Sequence, residues 1–119
     1  MATKYKVGEQ DTRPWGSYKV TDVGQGFAVK QIEVNAGGIL SYQRHEHRSE
    51  HWIIVQGEAT ITLGGEKFSV QANDHFFIPK GAWHRIQNRG TNPLIFIEVQ
   101  TGEILDENDI ERKDDKYNR

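Results

Sequence analysis

Cysteine is absent from the 119 residues, which excludes a disulfide framework and any thiolate metal site. A metal held by this chain must rely on imidazole, carboxylate or amide oxygen. Long apolar runs are absent too. No stretch approaches the roughly 20 residues that a membrane-spanning helix needs. Met1-Ala2-Thr3-Lys4-Tyr5-Lys6 is not followed by the apolar core of a secretory signal. Charge of one sign is scarce: 15 basic and 17 acidic side chains leave a formal −2. The aromatics are not interleaved with a basic stripe, so nucleic acid is not an expected partner. These absences lead to the expectation of a cytoplasmic protein that engages neither membrane nor nucleic acid.

What is present is a series of short runs rich in β-branched and aromatic residues. They are Ser17 to Val23, Phe27 to Val34, Ile39 to Gln43, His51 to Gln56, Ala59 to Leu63, Lys67 to Val70, His75 to Ile78, His84 to Asn88 and Leu94 to Gln100. Glycine or asparagine separates most of them. Gly64-Gly65, between two such runs, supplies the positive φ that a tight hairpin needs. With no long helical period, the expectation is one all-β domain closed as a small barrel or jelly roll, because closure removes unpaired edges. Residues 1–12 read as a loose arm or an added strand. Residues 103–119, dense in charge, read as a solvated strap with one helical turn at most.

Three of the five histidines fall within Gln43-Arg44-His45-Glu46-His47-Arg48-Ser49-Glu50-His51-Trp52. Imidazoles beside carboxylates and an amide make the ligand set that divalent metals prefer.

The residues then resemble the cupin superfamily, whose small β-barrels, or double-stranded β-helices, hold a metal through two motifs. Pro79-Lys80-Gly81-Ala82-Trp83-His84-Arg85-Ile86-Gln87-Asn88 is similar to the second, with His84 at the metal position and Asn73 in place of an upstream glycine. For the first motif two registers compete. With His45 and His47 as the pair, only two residues precede Glu50 and no glycine stands correctly upstream. With Gln43 and His45, the order Gly37, Gln43, His45, Glu50, Gly57 satisfies every spacing, glutamine replacing the usual first histidine. Gln43 and His45 share one strand face, and Glu50 shares a face with Trp52 and Ile54, leaving His51 turned away. The resemblance thus implies Gln43, His45, Glu50 and His84 as ligands, with His47 near the mouth. One carboxylate and three neutral donors suit a Lewis acid, zinc or manganese, better than redox iron.

A closer resemblance runs through most of the chain. Arg13-Pro14-Trp15-Gly16-Ser17-Tyr18, Leu40-Ser41-Tyr42-Gln43-Arg44-His45, His47 to Trp52, Ile97 to Gly102, Asp109-Ile110-Glu111-Arg112 and Asp115 to Arg119 are similar to the type II phosphomannose isomerase domain. In that family the domain commonly follows a mannose-1-phosphate guanylyltransferase domain. One difference stands out: Asn35-Ala36-Gly37-Gly38-Ile39 lacks a family Pro-Gly pair and the basic residue after it, removing one candidate phosphate contact.

The resemblance implies interconversion of mannose 6-phosphate and fructose 6-phosphate through an enediol, which needs a polarised oxygen and a base. His47 and Glu98 both stand as candidates for the base. Arg48 is a candidate for substrate phosphate or for developing negative charge, and Lys80 is a second phosphate candidate. His75 has no assigned role. Trp15, Trp52 and Trp83 read as packing residues. The alternative function is a noncatalytic module that binds a sugar or nucleotide-sugar beside a separate guanylyltransferase. A cupin dioxygenase is a weaker reading because of Gln43. Cupins often pair through outer strands, so a homodimer is expected.

Overall fold

Alternation of side chains with period two accounts for most of the architecture. The computed structural model describes residues 2–116. Tyr117, Asn118 and Arg119, which end the last of the family-like segments, lie outside them. The strands are β1 Ala2–Thr3, β2 Gln10–Arg13, β3 Gly16–Gly24, β4 Phe27–Val34, β5 Tyr42–Arg44, β6 Arg48–Gln56, β7 Glu58–Leu63, β8 Glu66–Gln71, β9 His75–Ile78, β10 His84–Gln87, β11 Leu94–Gly102, β12 Ile104–Leu105 and β13 Glu111–Asp114. No helix among the described residues is long and apolar enough to cross a membrane.

The strands form two antiparallel sheets. One runs β2-β3-β4-β11-β6-β9 and the other β13-β5-β10-β7-β8, while β1 and β12 make a short parallel pair. The all-β, barrel-like expectation is met. Gly64 and Gly65 both take positive φ, at 56° and 89°, and close the β7–β8 hairpin at the Leu63–Glu66 pair. Asn73 takes φ 78° where the cupin motif has glycine, a conformation asparagine tolerates better than other side chains do.

The interior is apolar at one end and polar at the other, and the register explains why. Across β4, β11 and β6, the row Ile32–Phe96–Ile54 is wholly apolar, and Val34–Leu94 continues it. Phe96, Ile54 and Leu94 are fully buried, each contributing roughly 1.5–3 kcal/mol by leaving water. Along the same inward face the next rows become Lys30–Glu98–Trp52 and Ala28–Gln100–Glu50, and Gly102 pairs with Arg48. All of these side chains are buried, apart from Gly102, which has none. The chain thus gives up hydrophobic packing at one end of its core to enclose charge, which is costly unless each charge is partnered.

Two expectations change. Ile39 to Gln43 is not one strand: Leu40 and Ser41 are buried in succession, which breaks the alternation. Ile39 makes only an isolated bridge to Gln87, and β5 begins at Tyr42. At the N-terminal end the added-strand alternative holds, and the C-terminal strap is docked rather than solvated. β2 extends the first sheet, Leu105 is 1% exposed, and β13 pairs with β5 through Glu111–Arg44 and Arg112–Gln43. The tail's charges face specific partners at the polar end, and that complementarity, invisible to local periodicity, is what docks it.

Candidate metal centre and cavity

β6 turns Arg48, Glu50 and Trp52 inward in alternation. β10 opens with His84, whose direct partner on β5 is Gln43, so these two side chains share a face. His45 follows β5 and is 3% exposed. Donor atoms of His45, Glu50 and His84 lie within 4.8 Å of one another, with His45 Nε2 3.2 Å from Glu50 Oε2.

Three features of this triad fit a divalent ion. Each ring is oriented through Nδ1: His45 against the Asp109 carbonyl at 2.7 Å and His84 against the Ala82 carbonyl at 2.9 Å. Donation from Nδ1 leaves Nε2 with a lone pair aimed inward, the usual arrangement for a metal-binding imidazole. His84 Nε2 is buried with no hydrogen-bond partner, an orphan that an ion would satisfy. Burial also lowers both rings' pKa, that of His45 to about 4, despite the attraction of Glu50. Both are therefore neutral and ready to ligate at neutral pH.

Glu50 is the anionic member. Burial opposes its ionisation, but Arg48, then His45 and His84, outweigh that and hold its carboxyl well below the usual range. Its Oε1 accepts from Trp52 Nε1 at 2.9 Å and its Oε2 from Arg48 Nε at 2.9 Å. Gln43 stands beside His45 with its Nε2 3.4 Å from His45 Nε2, while its Oε1 accepts from Ser41 Oγ at 2.9 Å. To ligate through oxygen its amide must turn over, after which Ser41 Oγ accepts instead of donating. A hydroxyl serves equally in either role.

Above the triad lies a cavity of about 440 Å³, lined by Gln43, His45, Arg48 and Glu98 together with Arg13, Lys30, Glu107 and Arg112. Glu98 is the unusual group. Burial and then the negative charge of Glu50 push its pKa up to about 8, and its Oε2 accepts from Gln100 Nε2 at 2.7 Å. Glu107 is held down to about 2. Burial resists its ionisation but is outweighed by Lys30, whose Nζ is 2.8 Å away, and by the Tyr5 hydroxyl.

The structure brings Gln43, His45, Glu50, His84, Arg48 and Glu98 together. Arg48, the candidate for substrate phosphate or developing negative charge, is buried and bound to Glu50, its Nη1 also 3.4 Å from the Tyr5 hydroxyl and 3.3 Å from the Asp106 carbonyl. His47 and Lys80 are exposed and are not among the residues lining the cavity. His47 lies beside Glu46 at 3.8 Å. His51 faces outward, as expected, its ring tilted against that of Phe77 with centroids 4.7 Å apart. His75 is exposed. Trp15 and Trp52 are packed in the core, whereas Trp83 lies at its edge against Tyr42.

Sequence reasoning missed Tyr5, Lys30, Gln100, Glu107 and Asp109. One signal for Lys30 was available: it interrupts the inward series Ala28, Ile32, Val34 of an otherwise apolar face. Asp109 stood in a family-like segment, but nothing local pointed to its clamping of the ligand loop. Its two carboxylate oxygens accept the backbone N–H groups of Glu46 and His47, each at 2.9 Å, while its carbonyl orients His45.

Comparison with known proteins agrees with this geometry. A family model described as "Mannose-6-phosphate isomerase C-terminal" matches residues 2–115. The xanthan biosynthesis protein XanB of Xanthomonas campestris pv. campestris (strain B100) is 50% identical over 107 residues, 90% of this chain and 23% of that protein. The mannose-1-phosphate guanylyltransferase ManC of Salmonella typhimurium is 45% identical over 107 residues, again 90% of this chain and 22% of that protein. The chain thus spans less than a quarter of these relatives. Among solved structures, a Klebsiella pneumoniae protein with a double-stranded β-helix domain superposes with a TM-score of 0.72 at 20% identity, covering 93% of this chain and 84% of that one. The fold is that of a cupin, and the chain belongs to the mannose-6-phosphate isomerase C-terminal family.

Proposed function

We propose that the chain is a metal-dependent sugar-phosphate isomerase acting between mannose 6-phosphate and fructose 6-phosphate. The observation that carries this reading is the placement of Glu98. Its carboxyl is on the wall of a cation-lined cavity, and its strand neighbours Lys30 and Trp52 stand one row from Glu50. A zinc or manganese ion on His45, Glu50, His84 and Gln43 would supply Lewis-acid polarisation of a substrate oxygen.

The chain's own groups do the rest. Glu98, as its carboxylate, takes the proton from C2 of the open-chain aldose. The C2–H electron pair forms the C1–C2 double bond, and negative charge develops on O1. Arg48, one of the cavity's cations, faces that charge. The hydroxyl proton moves from O2 to O1, and Glu98 returns its proton to C1, leaving the carbonyl at C2. A carboxyl whose pKa is raised toward neutrality suits both halves of this exchange. Gln100 fixes its orientation.

The test is solvent exchange. With the metal-loaded chain in deuterated water, mannose 6-phosphate should acquire deuterium at C2 and fructose 6-phosphate should accumulate. Absence of both from a protein shown to contain metal refutes isomerisation. A second reading is a noncatalytic sugar-binding module that accompanies a guanylyltransferase, the activity for which the ManC relative is named. That reading predicts binding without exchange.

A further inference from the structure

The chain lacks a basic residue in the Asn35-Ala36-Gly37-Gly38-Ile39 segment, Lys80 stands outside the cavity, and Arg48 is committed to Glu50. The phosphate of a hexose phosphate therefore needs another partner. We propose that Arg13 and Arg112, which line the same cavity from the edge strands of the two sheets, form the phosphate seat, an inference that rests on the hexose phosphate reading above.

Topology makes the argument. β2 is the edge strand of one sheet and β13 the edge strand of the other. Arg13 ends β2 and Arg112 lies on β13, and both line the same cavity. The cavity is thus lined by an edge-strand arginine from each sheet. Arg112 is the direct cross-strand partner of Gln43, and such partners have Cβ atoms about 4.5–5.5 Å apart on one face. A group held by Arg112 is therefore beside the triad but outside it, where the phosphate end of a sugar whose C1 and C2 meet Glu98 would project.

Arg13 approaches from the other wall with its side chain 31% exposed, and its contacts to Asp11 and Glu107 are long, at 3.2 and 3.4 Å. Charge-assisted bonds of full strength run about 2.7–2.9 Å, so a phosphate can compete for this guanidinium. Glu107, the carboxylate that lines the cavity beside Arg13, is already met by Lys30 at 2.8 Å and by Tyr5. Guanidinium also matches phosphate oxygens in bidentate geometry, as an ammonium does not.

The experiment measures binding of mannose 6-phosphate, mannose and inorganic phosphate to the intact metal-loaded chain by calorimetry, for wild type, Arg13→Met, Arg112→Met and Arg112→Lys. Metal content and melting temperature are measured on each. Wild type is expected to prefer mannose 6-phosphate over mannose by about tenfold or more. Each methionine variant should lose most of that preference, and inorganic phosphate binding with it, while metal content, melting and mannose binding stay unchanged. Arg112→Lys should restore the preference only in part. The seat is overturned if both methionine variants keep the wild-type preference, or if wild type shows none. Deuterium exchange at C2 is read on the same samples. Loss of phosphate preference without any wild-type exchange leaves the seat standing and removes isomerisation, whereas exchange with an unchanged preference in the variants does the reverse.

Discussion

Replacing Asp109 with alanine should loosen the metal centre without touching any of its ligands. In the folded chain one aspartate makes three contacts to the His45–His47 loop: two from its carboxylate to backbone N–H groups at 2.9 Å and one from its carbonyl to His45 Nδ1 at 2.7 Å. Alanine keeps the carbonyl and removes the carboxylate. A hydrogen bond to a charged group contributes about 1.5–3 kcal/mol when shielded from water. Glu46 and His47 are exposed, so a loss of about 1–2 kcal/mol for the pair is reasonable once solvent competes. Part of that loss falls on metal affinity, because the unclamped loop no longer fixes the ring that ligates. Removing such outer partners typically weakens metal binding about 10–100-fold. For Asp109→Ala the lower figure is expected, with a smaller effect for Asp109→Asn, which keeps one acceptor oxygen. Calorimetric titration of the metal-free protein with zinc, alongside thermal melts, measures both quantities. Wild-type zinc affinity in the alanine variant, together with unchanged melting, would refute the idea that the tail organises the site.

Further outcomes follow from the same geometry. Trp52→Phe leaves buried Glu50 Oε1 without its indole donor and should cost about 1–3 kcal/mol, read as a drop in melting temperature; an unchanged melt would show that the bond is dispensable. Glu98 has a folded pKa raised to about 8 from an ordinary 4.5, so its contribution to stability is whole below pH 4.5 and lost as pH rises through about 8. Wild type should therefore lose melting temperature relative to Glu98→Gln between pH 5 and 8 in the metal-free protein, and parallel curves would contradict that environment. His45 runs the opposite way: its pKa is lowered to about 4 from 6.5, so its contribution is whole above 6.5 and disappears as pH falls through 4. Alanine at His84 or Gln43 should reduce bound metal on elemental analysis, whereas His47→Ala should not, and the reverse pattern would restore the rejected register.

The strands and the inward set were legible because alternation is local. Glu50, Trp52 and Ile54 announce one face of β6, and His51 the other, in the order of residues alone. The spacing of Gln43, His45, Glu50 and His84 marked the residues that converge, although His84 is far away in the chain. Arg48 was harder: the same alternation that buries Glu50 buries it too, but an arginine so close to a turn reads as solvated until its carboxylate partner is seen at 2.9 Å.

By itself, then, the order of amino acids led to an all-β barrel and the hairpin at Gly64-Gly65, which rest on patterns among near neighbours, while the resemblance to the two cupin motifs marked Gln43, His45, Glu50 and His84 as candidate ligands. Only the tertiary structure decided that the charged tail is part of the site. Asp109 reaches the loop after β5, Glu107 reaches Lys30, and Tyr5 from the other end of the chain joins them. Those contacts join residues distant in sequence, and β pairing specifies which strands meet by complementarity between whole faces rather than by local pattern. The same long-range register sets Lys30 and Glu98 in one row beside Glu50 and gives a carboxyl that would be ionised in water a proton near neutral pH.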